Sequence, residues 1–418
     1  MCSECTPSYL QQTLDLAEAG RSGAPPNPLV GAVITRNDRV IATGYHARYG
    51  GLHAEAEALR SAGPAAEGST LYCNLEPCSY TAPDKHQPPC TRHIIDAGVQ
   101  TVVIGQLDPN PHVRGRGVEQ LEEAGIEVRV ADDTAQFWQF NDVFNTVMAL
   151  DRPLIHLKTA MSLDGRIATA SGDSKWITDE AARAEAHRLR SHRDAVAVGI
   201  GTVLADDPSL TTRLVEGRQA RPVVFDSQLR IPLDSTLVRT RSEELIVVTR
   251  AETISRGSEQ LRALERRGVA VVGITSGDDA SGDDASGGAA PGGGGSFGTT
   301  GLKVDLDAAV RLLRDRFGIR SILVEGGSRL ATAFVAQGLF DRITAFIAPI
   351  IVGSGTPAIG DLGTTEIAEA LRLDSVTWQR IGEQQMVQGY HPQWLARVQA
   401  QVGGNSSVRE VAHVHGTC

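Results

Sequence analysis

With 418 residues the chain exceeds one ordinary hydrophobic core, so two enzyme-sized domains are expected. It is 41% hydrophobic and 22% charged, and no stretch approaches the roughly 18–20 uninterrupted apolar residues of a membrane span. A net charge of -10 argues against a general nucleic-acid binder, whose phosphate contacts need clustered Lys and Arg, and favours a small polar substrate.

The first residues lack the basic, apolar and small-residue order of a secretory signal, so the mature chain is expected to start here and to work in the cytoplasm. Six cysteines are too sparse for a disulfide scaffold, which makes their positions more informative than their number. Cys2 and Cys5 form an isolated Cys-x-x-Cys, and Cys418 lies in a polar tail.

In chain order, the pattern predicts a helix over 10–20, a Gly/Pro-rich turn at 21–28, and a hairpin of strands 29–35 and 40–44 around Asn37-Asp38. A helix over 53–62, a strand at 70–74, a helix at 91–98, a strand at 101–104, a helix at 118–124 and a strand at 126–130 follow. Strands alternating with helices imply a mainly parallel sheet covered on both faces, hence an α/β fold. The pattern restarts around 144–153, which divides the chain into a first domain at 1–148 and a second at 152–398. The second contains a strand at 154–160, a helix at 179–192, strands at 195–199, 222–226, 245–249 and 321–324, a helix at 329–337 and an apolar run at 343–351.

Between 273 and 301 the unit Ser-Gly-Asp-Asp-Ala occurs twice and large apolar residues are nearly absent. Such a segment cannot bury enough surface to offset its chain entropy, so a disordered insert is expected. Residues 399–418, which include His413 and His415, are expected to be a disordered tail.

One constellation carries metal chemistry. His53-Ala54-Glu55 opens a predicted helix, Pro77-Cys78 follows a strand, and Pro89-Cys90 opens another helix. Ligands His53, Cys78 and Cys90 leave one tetrahedral position free, the stoichiometry of a catalytic zinc, where the metal lowers the pKa of a water to about 7. Helix N-termini stabilise thiolates, which suits the cysteine positions. Residues two apart do not share a helix face, so His53 and Glu55 cooperate only if the metal sits by the first turn; Glu55 then carries protons. Each residue alone would be unremarkable, but their order matches the zinc-deaminase signature.

The strings Asn27-Pro28-Leu29-Val30-Gly31-Ala32-Val33, Gly44-Tyr45-His46, His53-Ala54-Glu55, Leu75-Glu76-Pro77-Cys78-Ser79 and Asp108-Pro109-Asn110-Pro111 together resemble the deaminase half of the bifunctional riboflavin-biosynthesis deaminase-reductases. The resemblance covers about 8–148. It implies a cytidine-deaminase-like fold acting on the diaminopyrimidinone ribosylamine phosphate, with Asn27 and His46 contacting the base. The segment 79–87 is longer than in the family, and Tyr80 stands where a substrate-facing His is expected, leaving Lys85 or His86 to supply a polar contact.

The second domain opens with Lys158-Thr159-Ala160-Met161-Ser162-Leu163-Asp164-Gly165, followed by Ser174-Lys175-Trp176-Ile177-Thr178. Small residues after a buried strand let a flat cofactor approach the backbone, and Trp176 can cover a ring, although taken alone it reads as ordinary packing. Glycines in Val324-Glu325-Gly326-Gly327-Ser328 can expose N–H groups to a phosphate at a helix start. No Gly-x-Gly-x-x-Gly fingerprint follows a strand, so an ordinary Rossmann domain is not indicated.

These strings, with Thr202-Val203-Leu204-Ala205-Asp206-Asp207-Pro208, Phe225-Asp226-Ser227 and Ala348-Pro349, resemble the reductase half of the same enzymes over about 152–395. The resemblance implies a dihydrofolate-reductase-like fold and hydride transfer from NADPH that converts the ribosyl group to ribityl. Carried over position by position, Ala160, Trp176, Thr202, Asp206, Ser227 and Gly327 line NADPH, while Ser174, Arg190, Leu210, Arg213 and Glu325 meet the substrate. Planar guanidinium groups suit Arg190 and Arg213 to a phosphate, whereas the flanking Arg188 and Arg193 read as solvated.

The leading expectation is thus a bifunctional enzyme using Zn2+ and NADPH on a small phosphorylated pyrimidine, without nucleic-acid or membrane partners, as a homo-oligomer. Two alternatives keep the reductase: a deaminase of altered aminopyrimidine specificity, or a non-catalytic zinc module.

Overall fold

The computed structural model describes residues 8–81, 87–275, 304–403 and 413–414. The insert from residue 276 on, Lys85, His86, Cys2, Cys5, His415 and Cys418 lie outside the described residues. The chain divides into two compact units, Met1–Asp151 with Leu395–Cys418, and Arg152–Trp394.

The first unit begins with α1 (Tyr9–Glu18), whose start is capped by the Ser8 hydroxyl accepting from the Gln11 N–H. Strands β1 (Gly31–Arg36) and β2 (Arg39–Tyr45) form the antiparallel hairpin. Its turn residues Asn37 and Asp38 have φ of 51° and 55°, a left-handed pair that Asn and Asp tolerate better than other side chains. Then come α2 (Ala54–Ala62), β3 (Thr70–Cys73), α3 (Cys90–Asp96), β4 (Thr101–Ile104), α4 (Arg116–Glu123), β5 (Glu127–Ala131), α5 (Ala135–Phe140) and α6 (Asp142–Leu150). The sheet runs β5-β4-β3-β1-β2, parallel through β3 and antiparallel beyond it. β4 is buried at every residue, which is why it reads as an unbroken apolar run.

The second unit comprises β6 (Leu154–Ser162), β7 (Arg166–Thr169), α7 (Glu180–Ser191), β8 (Ala195–Gly199), α8 (Ile200–Asp206), β9 (Arg221–Phe225), α9 (Thr236–Thr240), β10 (Ile246–Arg250), α10 (Ala251–Ser255), α11 (Glu259–Arg266) and β11 (Ala270–Ile274). It continues with α12 (Leu306–Phe317), β12 (Ser321–Glu325), α13 (Ser328–Ala336), β13 (Arg342–Ala348), β14 (Gly355–Pro357), β15 (Asp374–Ile381) and β16 (Gln384–Tyr390). The nine-stranded sheet has the order β11-β10-β9-β8-β12-β6-β13-β16-β15. It is parallel from β11 to β13 and ends in two antiparallel strands.

Side chains alternate between its two cores. Ala195 and Ala197 of β8 pack with Leu306 and Leu313 of α12 and Leu330 of α13, while Val196 and Val198 pack with Val203 of α8, Leu237 of α9 and Leu264 of α11. Each such buried aliphatic side chain stabilises by about 1.5–3 kcal/mol. β15 escaped the sequence reading because it is exposed along nearly its whole length, pairs only with β16, and carries no buried face to impose a pattern.

Residues 399–418 were expected to lack structure. Instead α14 (Trp394–Gly403) runs through 403, and β17 (His413–Val414) adds to the first sheet parallel to β5. The helix start is anchored by the buried Trp394, stacked on Tyr390 at 4.7 Å between ring centroids. No helix among the described residues is long and apolar enough to cross a membrane.

Candidate active sites

In the first unit the end of β2 lies against α2. A Cβ on Gly44 would stand 2.4 Å from the Ala54 carbonyl oxygen, so only glycine allows this approach. His53 is the N-cap of α2 with extended backbone, and its side chain makes no capping bond. Its ring is therefore directed independently of the helix, which resolves the two-residue spacing between His53 and Glu55. The His53 Nδ1 lies 3.2 Å from the Cys90 Sγ and 3.6 Å from the Cys78 Sγ. The three ligand atoms fall within 4.8 Å of one another.

Zinc bonds of about 2.0–2.3 Å at tetrahedral angles set ligand atoms roughly 3.5–3.8 Å apart, so one imidazole and two thiols at this spacing fit the ion. Cys90 opens α3, and its N–H donates to the Cys78 Sγ at 3.4 Å, the kind of contact that favours a thiolate. Burial and the adjacent Cys78 hold the Cys90 thiol well above its usual pKa, so these sulfurs need a cation to ionise together. Glu55 is buried beside them, and burial raises its carboxyl pKa.

Asn27 and His46 meet next to this triangle. The His46 Nδ1 donates to the Leu52 carbonyl at 2.8 Å, which leaves its Nε2 to accept from the Asn27 Nδ2 at 3.1 Å. The His46 ring stands edge-on to His53 at 5.3 Å, and burial lowers its pKa. The loop bearing Asn27 is pinned by two buried amides: Asn141 accepts from the Leu29 N–H at 2.8 Å, and Asn74 accepts from the Gly31 N–H at 2.8 Å.

Sequence reasoning quoted Glu76 but gave it no role. Its buried carboxylate accepts from the backbone N–H groups of Asp108, Gly115, Gly117 and Val118. It thereby staples the turn carrying Cys78 to the start of α4. The signal was an acid between Leu75 and Pro77, a place where burial requires partners. Tyr80 is half-buried, its ring 6.4 Å from that of His112.

In the second unit, the pairing of β6 with β12 brings Lys158, midway along β6, beside Glu325 at the end of β12. The Glu325 carboxylate accepts from Arg190 Nε at 2.5 Å and Nη2 at 2.8 Å, and the Lys158 Nζ lies 3.8 Å away. These cations hold the Glu325 pKa down at about 2 despite burial, while burial lowers that of Lys158. Arg190 donates its Nη1 to the Thr211 carbonyl as well. Two edges of its guanidinium are thus engaged within the chain, by Glu325 and by Thr211, and the remaining N–H groups of Nη1 and Nη2 are what a substrate phosphate would meet.

Arg213 remains exposed, with its Nη1 3.2 Å from the Ser209 Oγ. Leu210 is buried at φ 50°, its carbonyl accepting from Arg241. Arg188 is solvated beside Glu185, but Arg193 is not: it is buried and donates to the His156 Nδ1 at 3.1 Å. Lys158, quoted at the head of the second domain's first string, had no role assigned, and His187 was missed because it stands in no pattern that names it.

Among the residues expected to line NADPH, Trp176 is 69% exposed rather than packed in the core, with the Arg183 guanidinium 4.5 Å from its ring centre. Ser174 is half-buried in the same loop and Ala160 half-buried on β6. Gly326 and Gly327 have φ of 84° and 72°, and a Cβ on either would stand 3.4 or 3.2 Å from the Thr202 hydroxyl of α8. The glycines thus keep side chains away from the start of α13, whose N-cap Gly327 makes no side-chain capping bond. Asp206 is exposed at the end of α8, and the Ser227 carbonyl accepts from Thr253 and Arg250.

Comparisons with known proteins match both units. The family described as the RibD C-terminal domain matches residues 153–387, and the cytidine and deoxycytidylate deaminase zinc-binding region matches 3–106. The chain is 38% identical over 384 residues to the riboflavin biosynthesis protein RibD of Aquifex aeolicus (strain VF5), covering 92% of this chain and 98% of that one. It is 35% identical over 380 residues to the Escherichia coli (strain K12) protein of the same name, covering 87% and 93%. Among solved structures, Acinetobacter baumannii RibD, form 1, is 31% identical with a TM-score of 0.73, covering 91% and 97%. A Thermotoga maritima diaminohydroxyphosphoribosylaminopyrimidine deaminase/5-amino-6-(5-phosphoribosylamino)uracil reductase is 32% identical with a TM-score of 0.72, covering 92% and 98%.

Proposed function

Because this chain belongs to the RibD family, the zinc- and NADPH-dependent deaminase-reductases of riboflavin biosynthesis, we propose a division of labour among its residues. In this reading the cytidine-deaminase-like half removes ammonia from 2,5-diamino-6-(5-phosphoribosylamino)pyrimidin-4(3H)-one. The dihydrofolate-reductase-like half then reduces the ribosyl group to ribityl. The working domains are 1–148 and 152–398. The place of work is the cytoplasm, as a homo-oligomer, with no nucleic-acid or membrane partner.

The observation that carries the first half is the His53, Cys78 and Cys90 triangle with Glu55 buried against it. When bound there, zinc supplies the Lewis acidity that makes water a nucleophile near neutral pH. Glu55 carries the first proton of the attacking water to the ring nitrogen and the second, from the resulting hydroxyl, to the amino group that leaves as ammonia. Asn27 and His46, locked to each other, hold the base. Burial of the carboxyl keeps bulk solvent from competing for the proton.

In the second half NADPH supplies the hydride, and the protein supplies orientation. Ala160, Trp176, Thr202, Asp206, Ser227 and Gly327 bind the cofactor, and Ser174, Arg190, Leu210 and Arg213 bind the phosphorylated sugar. Glu325, kept ionised and fixed by Arg190, accepts hydrogen bonds from the sugar hydroxyls. The reading is tested by supplying the diaminopyrimidinone phosphate and NADPH together. Ammonia release followed by NADPH oxidation is expected; NADPH oxidation only with the already deaminated compound would instead favour a deaminase of altered specificity.

A further inference from the structure

The loop 209–213 carries the exposed Arg213, whose side chain has one polar tie, to Ser209. Its main chain is held from another element. The Arg213 N–H donates at 3.0 Å to the Nδ1 of His187, a buried residue of α7. An imidazole whose Nδ1 accepts carries its proton on Nε2. We infer that His187 is a positioning residue for the reductase substrate: it fixes the main chain of Arg213 so that this guanidinium reaches the substrate phosphate. The inference rests on the reading of Arg213 as phosphate anchor.

The choice of side chain follows from its surroundings. The charged groups facing His187 are Arg190 on its own helix, Arg213 on the loop, Lys158 on β6 and Glu325 on β12. Lys or Arg at this place would have no lone pair to accept the N–H. A carboxylate would accept, but its charge would offset the attraction of the pocket for a phosphate dianion. Imidazole accepts without adding charge, because burial and the three cations hold its pKa down at about 4. A solvent-exposed Arg loses conformational freedom when it closes on an anion, so a preset backbone preserves affinity.

The test uses the full-length, zinc-loaded protein and follows NADPH oxidation with the deaminated ribosylaminopyrimidine phosphate. His187→Ala is expected to raise KM for that substrate about tenfold. KM for NADPH, kcat and ammonia release from the first half should stay within about twofold. His187→Asn, whose amide oxygen can replace Nδ1 as acceptor, is expected to restore KM to within about threefold of the parent. His187→Asp, an acceptor with added negative charge, is expected to remain impaired. Equal KM in His187→Ala and the parent would overturn the inference, as would a His187→Asn protein no better than Ala. Arg213→Gln separates the two readings. If Arg213→Gln leaves KM unchanged, the phosphate anchor itself is misassigned; if it raises KM while His187→Ala does not, only the His187 inference falls.

Discussion

The two sites solve the problem of buried charge in opposite ways. The metal triangle gathers one imidazole and two thiols that are kept from ionising together until a metal cation binds them. The reductase cluster meets its buried carboxylate with cations from the chain itself: Glu325 is clamped by Arg190 and approached by Lys158. The first site therefore depends on what it binds, and the second on residues that also hold the fold together. A change at the first should cost activity, and metal where a ligand is altered, while sparing stability, whereas a change at the second should cost stability first.

The largest expected effect is at Glu55. Glu55→Gln should lower ammonia release by about 10²–10⁴-fold while zinc content and NADPH oxidation stay at parental levels. Persistence of deamination would remove Glu55 from its role, and loss of zinc would show that it also supports the metal. In the second unit, Glu325→Ala strands two buried cations and should destabilise that unit by about 3–5 kcal/mol in urea unfolding. A loss under about 1 kcal/mol would mean that Arg190 and Lys158 find other partners, and the contrast between the sites would weaken.

Glu76 is where the comparison can be sharpened. Glu76→Gln replaces one accepting oxygen with a donor facing N–H groups, and should weaken zinc affinity by about 10–100-fold in a chelator competition. Unchanged affinity would confine Glu76 to packing. The smallest effect concerns pH. His187 has its pKa lowered from 6.5 to about 4, so between these values the unfolded chain binds a proton that the folded chain does not. Stability from this group is complete above about pH 6.5 and falls as pH drops toward 4. The urea midpoint of the second unit should accordingly drop less between pH 7 and 4.5 in His187→Asn than in the parent.

Much of the fold was legible because its strands are buried on both faces and its helices repeat regularly. β4 and β8 stand where their apolar runs indicated, and the Asn37-Asp38 turn was announced by its residues. β15 was not legible, since an exposed edge strand carries no pattern. The metal ligands were legible for a local reason: His53 and Cys90 sit at helix starts, and Cys78 lies in the turn that follows β3. Element ends are set by short-range signals such as Gly50-Gly51 and Pro89.

What the sequence determined by itself was therefore local: the order of elements, the donor set of the metal site, and the strings that resemble the family. Tertiary structure alone decided that Arg190 spends its fork on Glu325, 135 residues away, that Arg193 is buried, and that His187 meets Arg213. An arginine in a helix looks the same in sequence whether it faces solvent, a phosphate or a carboxylate. The choice is made by which strand ends the sheet order brings alongside it, and that order is a property of the folded chain.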